Sequence, residues 1–309
     1  MDPGEQQVLV VIFDVSPVWW GLKSLQGQAH ITKFFDSLII FMNSYLMLHS
    51  DNKLAVIASH STKSIFLYPP PQAGNEQNSS EYGDCRDKHF AVVDNAIISS
   101  FKTLMSDGCE EKDMRSDSLI AGSMANALCY IHRITQELES RERASSRILV
   151  VKAADDAASQ YMSFMNVIFA AQKEHVVVDS CVLGQDSGLL QQACDMTGGL
   201  YLKVPSQYAF LQYLLTAFLT EPELRKDSLV LSRTKSLHSV DYRAACFCHR
   251  CLVEVGFVCS VCLSIFCQFS PICSTCETVF RPSSLVLKSR KKRKVPSRSS
   301  SPCTDASIK

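Results

Sequence analysis

Apolar positions along the chain alternate between short continuous runs and longer segments with helical spacing. Residues 7–15 (QVLVVIFDV) are nearly all apolar, which is typical of a central strand covered on both faces. Residues 30–49 repeat apolar side chains at helical spacing, and they predict a helix with one buried face. The apolar runs 53–59 and 64–68 predict two strands joined as a hairpin at a sheet edge.

The alternation of strands and helices continues to about residue 220. Further strands are predicted at 147–151, 176–182 and 200–204, and further helices at 90–105, 118–139, 157–172, 188–197 and 206–219. Strands that alternate with helices imply a mostly parallel sheet with helices on both faces. We therefore predict an α/β domain over residues 1–220.

The remaining segments differ in composition from this domain. Residues 69–88 are rich in Pro, Gln, Asn, Ser and Gly and predict a surface insertion. We expect a charged linker at 221–243, a cysteine-rich module at 244–282 and a disordered basic tail at 283–309. No apolar run reaches the ~18 residues that span a bilayer, and the first residues lack a signal peptide's basic start. We expect a soluble protein without membrane contacts, and we see no internal repeat.

Charge is unevenly distributed although the chain is neutral overall. From Lys288 to the end there are eight basic residues and one acidic residue, so the body is mildly acidic. An acidic body argues against a general phosphate-binding surface. The basic run Lys288–Lys294 predicts binding to a nuclear import receptor, and the alternative is a solvated tail without a specific partner.

Eight of the 14 cysteines lie between Cys246 and Cys276. A reducing compartment disfavours disulfides, so a dense cluster of this kind is a candidate metal site. Three pairs have the spacing Cys-x-x-Cys, namely Cys248/Cys251, Cys259/Cys262 and Cys273/Cys276. Two such pairs supply four thiolates to one tetrahedral ion. The last two pairs are therefore predicted to form a C4-type zinc finger.

The ligand set of the upstream cysteines stays open. Cys248 and Cys251 could pair with Cys267 and a fourth ligand, either Cys246 or His249, to hold a second ion, or they could replace one of the other pairs. The short spacers argue against a RING-type ubiquitin ligase, and three adjacent pairs argue against redox catalysis. Because a module of ~35 residues cannot bury enough apolar surface to fold unaided, zinc is expected to have a structural role.

No catalytic constellation is apparent in the sequence. Gly198-Gly199 lacks the Lys-Ser/Thr that follows in a phosphate-binding loop. His30, His49 and His60 have no cysteine or acidic residue at the spacing of a nucleophile or a zinc protease. We therefore expect no enzymatic activity.

The first domain resembles a known family in the order of its features. A strand ending in Asp14-Val15-Ser16 is followed by an edge hairpin and by alternating units that close on Thr197-Gly198-Gly199-Leu200-Tyr201. In this order they resemble a von Willebrand factor A domain, a Rossmann-type fold, over residues 5–220. That family binds a Mg²⁺-type ion through Asp-x-Ser-x-Ser, whose oxygens suit a hard cation. Here Val18 stands at the last position and offers no oxygen.

We therefore expect Asp14 to accept backbone N–H groups and cap the following loop, without binding a divalent ion tightly. Asp155 and Asp156, after a predicted strand, could bring further carboxylates nearby. Trp19 and Trp20 follow at the same rim and allow two interpretations. They form either an exposed apolar patch for a partner or side chains folded back onto the domain's own helices.

Residues 256–267 (GFVCSVCLSIFC), after a degenerate A domain, resemble the family of small von Willebrand A/zinc-finger subunits of the general transcription factor TFIIH. The resemblance supports Cys259, Cys262, Cys273 and Cys276 as zinc ligands. It implies a nuclear, non-enzymatic scaffold subunit of the TFIIH core, acting in RNA polymerase II transcription initiation and nucleotide excision repair. The implied partners are a larger von Willebrand A/zinc-binding sister subunit and other core subunits, with DNA contact indirect or weak. The alternative is a zinc-dependent nucleic-acid-binding protein that contacts DNA through its cysteine ribbon and basic tail.

Overall fold

The computed structural model describes residues 7–27, 30–70, 86–106, 118–137, 145–156, 160–222, 225, 240–244, 246, 248 and 253–280. Its internal contacts divide the chain into two units, Met1–Val240 and Asp241–Lys309. Most of the predicted surface insertion and linker, and all of the predicted disordered tail with its basic run, lie outside the described residues.

Six strands form one sheet in the first unit. They are β1 (Gln7–Asp14), β2 (Lys53–Ser59), β3 (Ser64–Tyr68), β4 (Ser145–Lys152), β5 (Val177–Val182) and β6 (Tyr201–Lys203). Their order is β3-β2-β1-β4-β5-β6, and every pair is parallel except the antiparallel β2–β3 hairpin at the edge. The winding reverses between β1 and β4, so their carboxyl ends lie at a topological switch point.

The central strand β1 is buried on both faces because its side chains alternate between two cores. Leu9, Val11 and Phe13 belong to one core cluster. Val8, Val10 and Ile12 belong to the cluster on the opposite face. This double burial explains why the strand is a nearly continuous apolar run in the sequence.

Helices cover both faces of the sheet. One face carries α1 (Pro17–Leu25), α2 (Ile31–Leu48), α3 (Arg86–Ser106) and a last segment made of a 3-10 turn (Gln207–Ala209), α7 (Phe210–Tyr213) and a π-helical stretch (Leu214–Phe218). The other face carries α4 (Ile120–Glu137), α5 (Tyr161–Lys173) and α6 (Gly188–Thr197). The predicted fold class, a Rossmann-type, mostly parallel sheet with helices on both faces, is confirmed.

Helix α1 lies where the sequence pattern predicts no helix. Pro17 occupies its first turn, where the fixed φ of proline suits helix initiation. Trp20 is the one buried residue of this nine-residue helix. With so few buried positions, α1 lacks the apolar periodicity from which a helix is predicted.

Helix α2 is long and apolar enough, by length and composition alone, to cross a membrane. Its buried side chains are Phe34, Phe35, Leu38, Phe41, Met42 and Tyr45. All of them belong to the core cluster on one face of the sheet. Packing in this core accounts for the apolar composition of α2.

The second unit contains short antiparallel pairings. Strands β7 (Phe257–Val258) and β8 (Ile265–Phe266) form a two-stranded sheet, and Ile272 bridges to Val279. The buried cluster here consists of Cys259, Phe266 and Cys273, with Cys262, Cys276 and Phe280 packed against it. In the described part of this unit, the core is therefore built mainly from cysteine side chains.

Candidate metal centre and the rim of the sheet

Four cysteine thiols converge in the second unit, and we call them the first cysteine group. The Sγ atoms of Cys259, Cys262, Cys273 and Cys276 all lie within 4.8 Å of one another. The Sγ–Sγ distance is 3.7 Å between Cys259 and Cys276 and 3.5 Å between Cys262 and Cys273. A disulfide bond would need ~2.05 Å. A tetrahedron with metal–sulfur bonds of ~2.3 Å has edges of ~3.8 Å. The four thiols therefore have the spacing of a single tetrahedral metal site.

The first Cys-x-x-Cys turn holds its thiols with a defined set of hydrogen bonds. The backbone N–H of Cys259 donates to the carbonyl of Ser264 at 2.9 Å, and that of Leu263 donates to the carbonyl of Cys259 at 3.0 Å. Leu263 has a φ of 59°, which closes the turn in the left-handed region. The Sγ of Cys262 lies 3.2 Å from the hydroxyl of Ser264. One turn thus orients two thiols and a hydroxyl together.

The second turn repeats this arrangement 14 residues further on. Cys273 N–H donates to the carbonyl of Thr278 and Glu277 N–H to the carbonyl of Cys273, both at 2.9 Å. Glu277 also has a φ of 59°, and the Sγ of Cys276 lies 3.1 Å from the hydroxyl of Thr278. Both turns share the pattern Cys-Ser-x-Cys-x-Ser/Thr. This short internal repeat is present in the sequence, so the statement that the chain contains no internal repeat is wrong at this level.

The two hydroxyls beside the thiols were not predicted as part of the site. The hydrogen bond with Ser264 is the largest of the effects that lower the pKa of Cys262 to about 6. The contact with Thr278 likewise lowers the pKa of Cys276. Because the thiolate is the form of cysteine that binds metals, both hydroxyls favour ligation.

Three further thiols form a second cysteine group. The Sγ atoms of Cys246, Cys248 and Cys267 all lie within 4.8 Å of one another, with 3.3 Å between Cys248 and Cys267. The contact with Cys248 raises the pKa of Cys267 to about 11. Cys251 and His249, the other candidate ligands, lie outside the described residues.

Both groups can hold a metal ion on the chemistry of their donors. Thiolate ligands select soft ions such as zinc or copper(I) over magnesium or calcium, which prefer oxygen. Apart from cysteine, the buried cluster of the module contains only Phe266 among the described residues. Because so little apolar surface is buried in this module, metal ligation is a suitable source of its folding free energy.

Asp14, at the end of β1, uses its carboxylate within the fold. Its Oδ1 accepts the backbone N–H of Ser16 at 3.1 Å. Its Oδ2 accepts those of Ala153 and Ala154 at 3.0 Å and 2.8 Å. Burial raises the pKa of Asp14, while these backbone N–H groups act in the opposite direction. The backbone hydrogen bonds expected from the sequence are present, and they tie the end of β1 to the residues after β4.

Lys152, the last residue of β4, brings a positive charge to the same rim. Its ammonium forms an ion pair with Asp156 and lies 3.4 Å from the hydroxyl of Ser187. That hydroxyl donates to Asp156 at 2.7 Å. Burial lowers the pKa of Lys152 to about 8, against the attraction of Asp14 and Asp155. The carboxylates at this rim therefore have a cation that the chain itself supplies.

Trp19 and Trp20 fold back onto the first unit. Trp20 is buried, and its indole N–H donates to the carbonyl of Asp14 at 2.9 Å. Its ring packs against those of Phe13 and Phe34 at centroid distances of 5.8 Å and 5.3 Å. Trp19 is partly buried and lies edge-on to Trp20 at 4.8 Å. Of the two interpretations of this pair, the one in which the tryptophans pack on the domain's own helices is correct for Trp20.

A family model for the transcription factor Tfb4 matches residues 6–277, a span that includes both the sheet and the first cysteine group. The chain belongs to the Tfb4 family. The resemblance inferred from residues 256–267 is thereby confirmed.

Named relatives of the Tfb4 family agree with this assignment. The chain is similar to general transcription and DNA repair factor IIH subunit tfb4 of Schizosaccharomyces pombe, with 38% identity over 277 residues and 88% of each chain covered. It is also similar to general transcription factor IIH subunit 3 of Dictyostelium discoideum, with 42% identity over 259 residues, 80% of this chain and 68% of the relative. The crystal structure of the TFIIH p34 N-terminal domain matches with 26% identity and a TM-score of 0.59, covering 69% of this chain and 97% of that domain.

Proposed function

We propose that the chain is a non-enzymatic scaffold subunit of the TFIIH core complex, acting in RNA polymerase II transcription initiation and nucleotide excision repair. The observation that carries this proposal is the Tfb4 family match, which extends from residue 6 to residue 277. Two relatives at 38% and 42% identity are named as subunits of general transcription factor IIH. The proposed location is the nucleus, with import through the basic run Lys288–Lys294.

The rim of the sheet supports a role without catalysis. Both carboxylate oxygens of Asp14 already accept backbone N–H groups, so they do not project towards a ligand. Asp156 is engaged by Lys152 and Ser187. Val18 stands where the von Willebrand A pattern has a ligand hydroxyl. Among the described residues, this rim offers interactions that stabilise the domain in place of a reactive centre.

For the first cysteine group we propose a structural zinc ion, bound by Cys259, Cys262, Cys273 and Cys276. Four thiolates complete the tetrahedral coordination of zinc and leave no open position for a substrate. The free energy of metal binding would then stabilise a module whose apolar core is small.

We further propose that this subunit acts through protein contacts with a larger von Willebrand A/zinc-binding sister subunit and other core subunits. The second unit exposes many large apolar side chains, namely Val255, Phe257, Val258, Val261, Leu263, Phe269, Ile272 and Val279. Exposed apolar surface at this density favours a protein partner. The cysteine-rich module 244–282 contains only two arginines, Arg250 and Arg281, and no lysine, whereas binding to nucleic-acid phosphates depends on several basic side chains. Direct DNA contact through the cysteine ribbon is therefore disfavoured.

Co-purification of the full chain with the sister subunit tests this proposal. Val261 is 65% exposed in the second unit, and Val92 is 58% exposed on α3 in the first unit. We expect Val261→Asp to weaken recovery of the complex several-fold and the matched Val92→Asp to leave it unchanged. The nucleic-acid-binding alternative would be favoured if the chain did not co-purify with the sister subunit and if the purified chain bound duplex DNA with an affinity that falls steeply with salt concentration.

A further inference from the structure

We propose that the second unit holds a second metal ion, bound by the thiolates of Cys246, Cys248 and Cys267. The inference rests on the proposed function only for the identity of the ion as zinc. It goes beyond the C4 site because none of these three cysteines belongs to the first cysteine group.

The spacing of the three sulfur atoms carries the proposal. All three Sγ atoms lie within 4.8 Å of one another, as the four of the first cysteine group do. The Sγ–Sγ distance of 3.3 Å between Cys248 and Cys267 is about 0.5 Å shorter than the ~3.8 Å edge of a tetrahedral thiolate site. It is far longer than the ~2.05 Å of a disulfide. Cys246 is only 1% exposed, Cys267 is partly buried and Cys248 is exposed, so the group extends from the interior of the module to its surface.

The fold explains how distant cysteines meet. Cys267 directly follows β8, whose pairing with β7 is closed by the first Cys-x-x-Cys turn. On the other side, the backbone N–H of Val253 donates to the carbonyl of Ala244 at 2.9 Å and brings together the ends of the segment that carries Cys246 and Cys248. The same hairpin therefore presents thiols to both cysteine groups, from its turn and from its end.

The ligands of the two sites alternate along the chain. Cys246 and Cys248 precede the first pair of the C4 site, and Cys267 lies between its two pairs. A second ion would thus connect the segment before the hairpin to the loop inside the C4 site. Zinc takes four ligands in a tetrahedral site, so one further ligand would complete the coordination by these three thiolates.

Native mass spectrometry of the purified full chain counts the bound metal directly. We expect two zinc ions in the unmodified protein, one in Cys267→Ser and one in Cys273→Ser. Cys129 is an exposed cysteine on α4, so Cys129→Ser is the matched control and should retain two ions. One ion in the unmodified protein, with the same number in Cys267→Ser, would overturn the second site. A disulfide between Cys248 and Cys267 in the denatured mass would overturn it as well.

Further measurements separate failure of this inference from failure of the C4 assignment. Cobalt titration of the unmodified chain needs no variant, and its sulfur-to-metal absorbance should saturate at two equivalents; saturation at one equivalent contradicts the second site. If Cys273→Ser loses metal and Cys267→Ser does not, the result contradicts the second site and supports the C4 site. Retention of both ions in Cys273→Ser would instead contradict the C4 site. Both tryptophans lie in the first unit, so their fluorescence reports whether the first unit of each variant is folded.

Discussion

The buried carboxylate of Asp179, on β5, lies between two guanidinium groups. Its Oδ1 accepts a hydrogen bond from Arg225 at 2.7 Å and from the backbone N–H of Leu200 at 2.8 Å, and its Oδ2 lies 3.7 Å from Arg147. Arg225 also donates to the carbonyl of Thr220 at 2.8 Å. Asp179 therefore connects the sheet to Arg225, which follows the last helical segment and lies within the predicted linker 221–243.

Asp179→Asn keeps the side-chain shape but removes the negative charge. The side chains of Asp179, Arg147 and Arg225 are 0%, 8% and 7% exposed, so two desolvated cations would lose their counter-ion. Removing one partner from a buried ion pair costs ~3–5 kcal/mol. Because asparagine retains one acceptor oxygen, we expect the lower end, a loss of ~3 kcal/mol in the free energy of unfolding.

Asp186→Asn is the matched control for this substitution. Asp186 pairs with Lys203 at 2.8 Å, but the two side chains are 56% and 45% exposed. An exposed pair of this kind contributes ~0–1 kcal/mol because water and salt screen it. The same chemical change should therefore have a much smaller effect at Asp186.

Urea unfolding followed by tryptophan fluorescence measures the difference. Both tryptophans of the chain, Trp19 and Trp20, lie in the first unit, and Trp20 is buried. A loss of ~3 kcal/mol at a slope of ~1–3 kcal/mol per molar urea lowers the midpoint by ~1–3 M. If Asp179→Asn unfolded within ~1 kcal/mol of Asp186→Asn, the reasoning about buried charge would be refuted.

Three further predictions concern the rim of the sheet and the first cysteine group. Asp14→Ala leaves three buried backbone N–H groups without an acceptor, at ~1–3 kcal/mol each, so the free energy of unfolding should fall by ~3 kcal/mol or more. Asp14→Asn keeps an acceptor oxygen, so it should lower the free energy of unfolding by less in the same urea assay. Equal losses in the two variants would contradict this explanation. The pKa of Lys152 is lowered from 10.5 to about 8 in the folded chain, so between about pH 8 and pH 10.5 the unfolded chain binds more protons than the folded chain. The free energy of unfolding, compared with that of Lys152→Met, should therefore rise with pH across this window. A difference between the two proteins that stays constant with pH would contradict this prediction. Ser264→Ala should raise the pKa of Cys262 and weaken zinc affinity by ~10-fold in a chelator competition, whereas Ser260→Ala, at an exposed serine in the same turn, should not.

Much of the fold could be predicted from the sequence because its signals are local. Continuous apolar runs predicted β1 and β4, since strands buried on both faces need apolar side chains at every position. Apolar residues at helical spacing predicted α2, since a helix buried on one face needs apolar side chains only along that face. The Cys-x-x-Cys spacing predicted the first cysteine group, whose paired thiols lie within single turns. Its ligand role stays a prediction until metal is counted.

Other features depend on residues far apart in the chain, and only the tertiary structure decided them. Trp20 is buried because its indole meets the end of β1 and the ring of Phe34, which no local pattern records. Lys152 is the last residue of β4, and neither its burial nor its ion pair with Asp156 follows from any local pattern in the sequence.

Cys267 illustrates the same limit at the candidate site. It has no cysteine at a two-residue spacing, so the sequence left its role open among several alternatives. Its neighbours Cys246 and Cys248 lie some 20 residues upstream, and the β7–β8 pairing together with the backbone hydrogen bond from Val253 to Ala244 brings them close to it. Local spacing therefore determined which cysteines form turns, whereas long-range pairing decided which turns share a site.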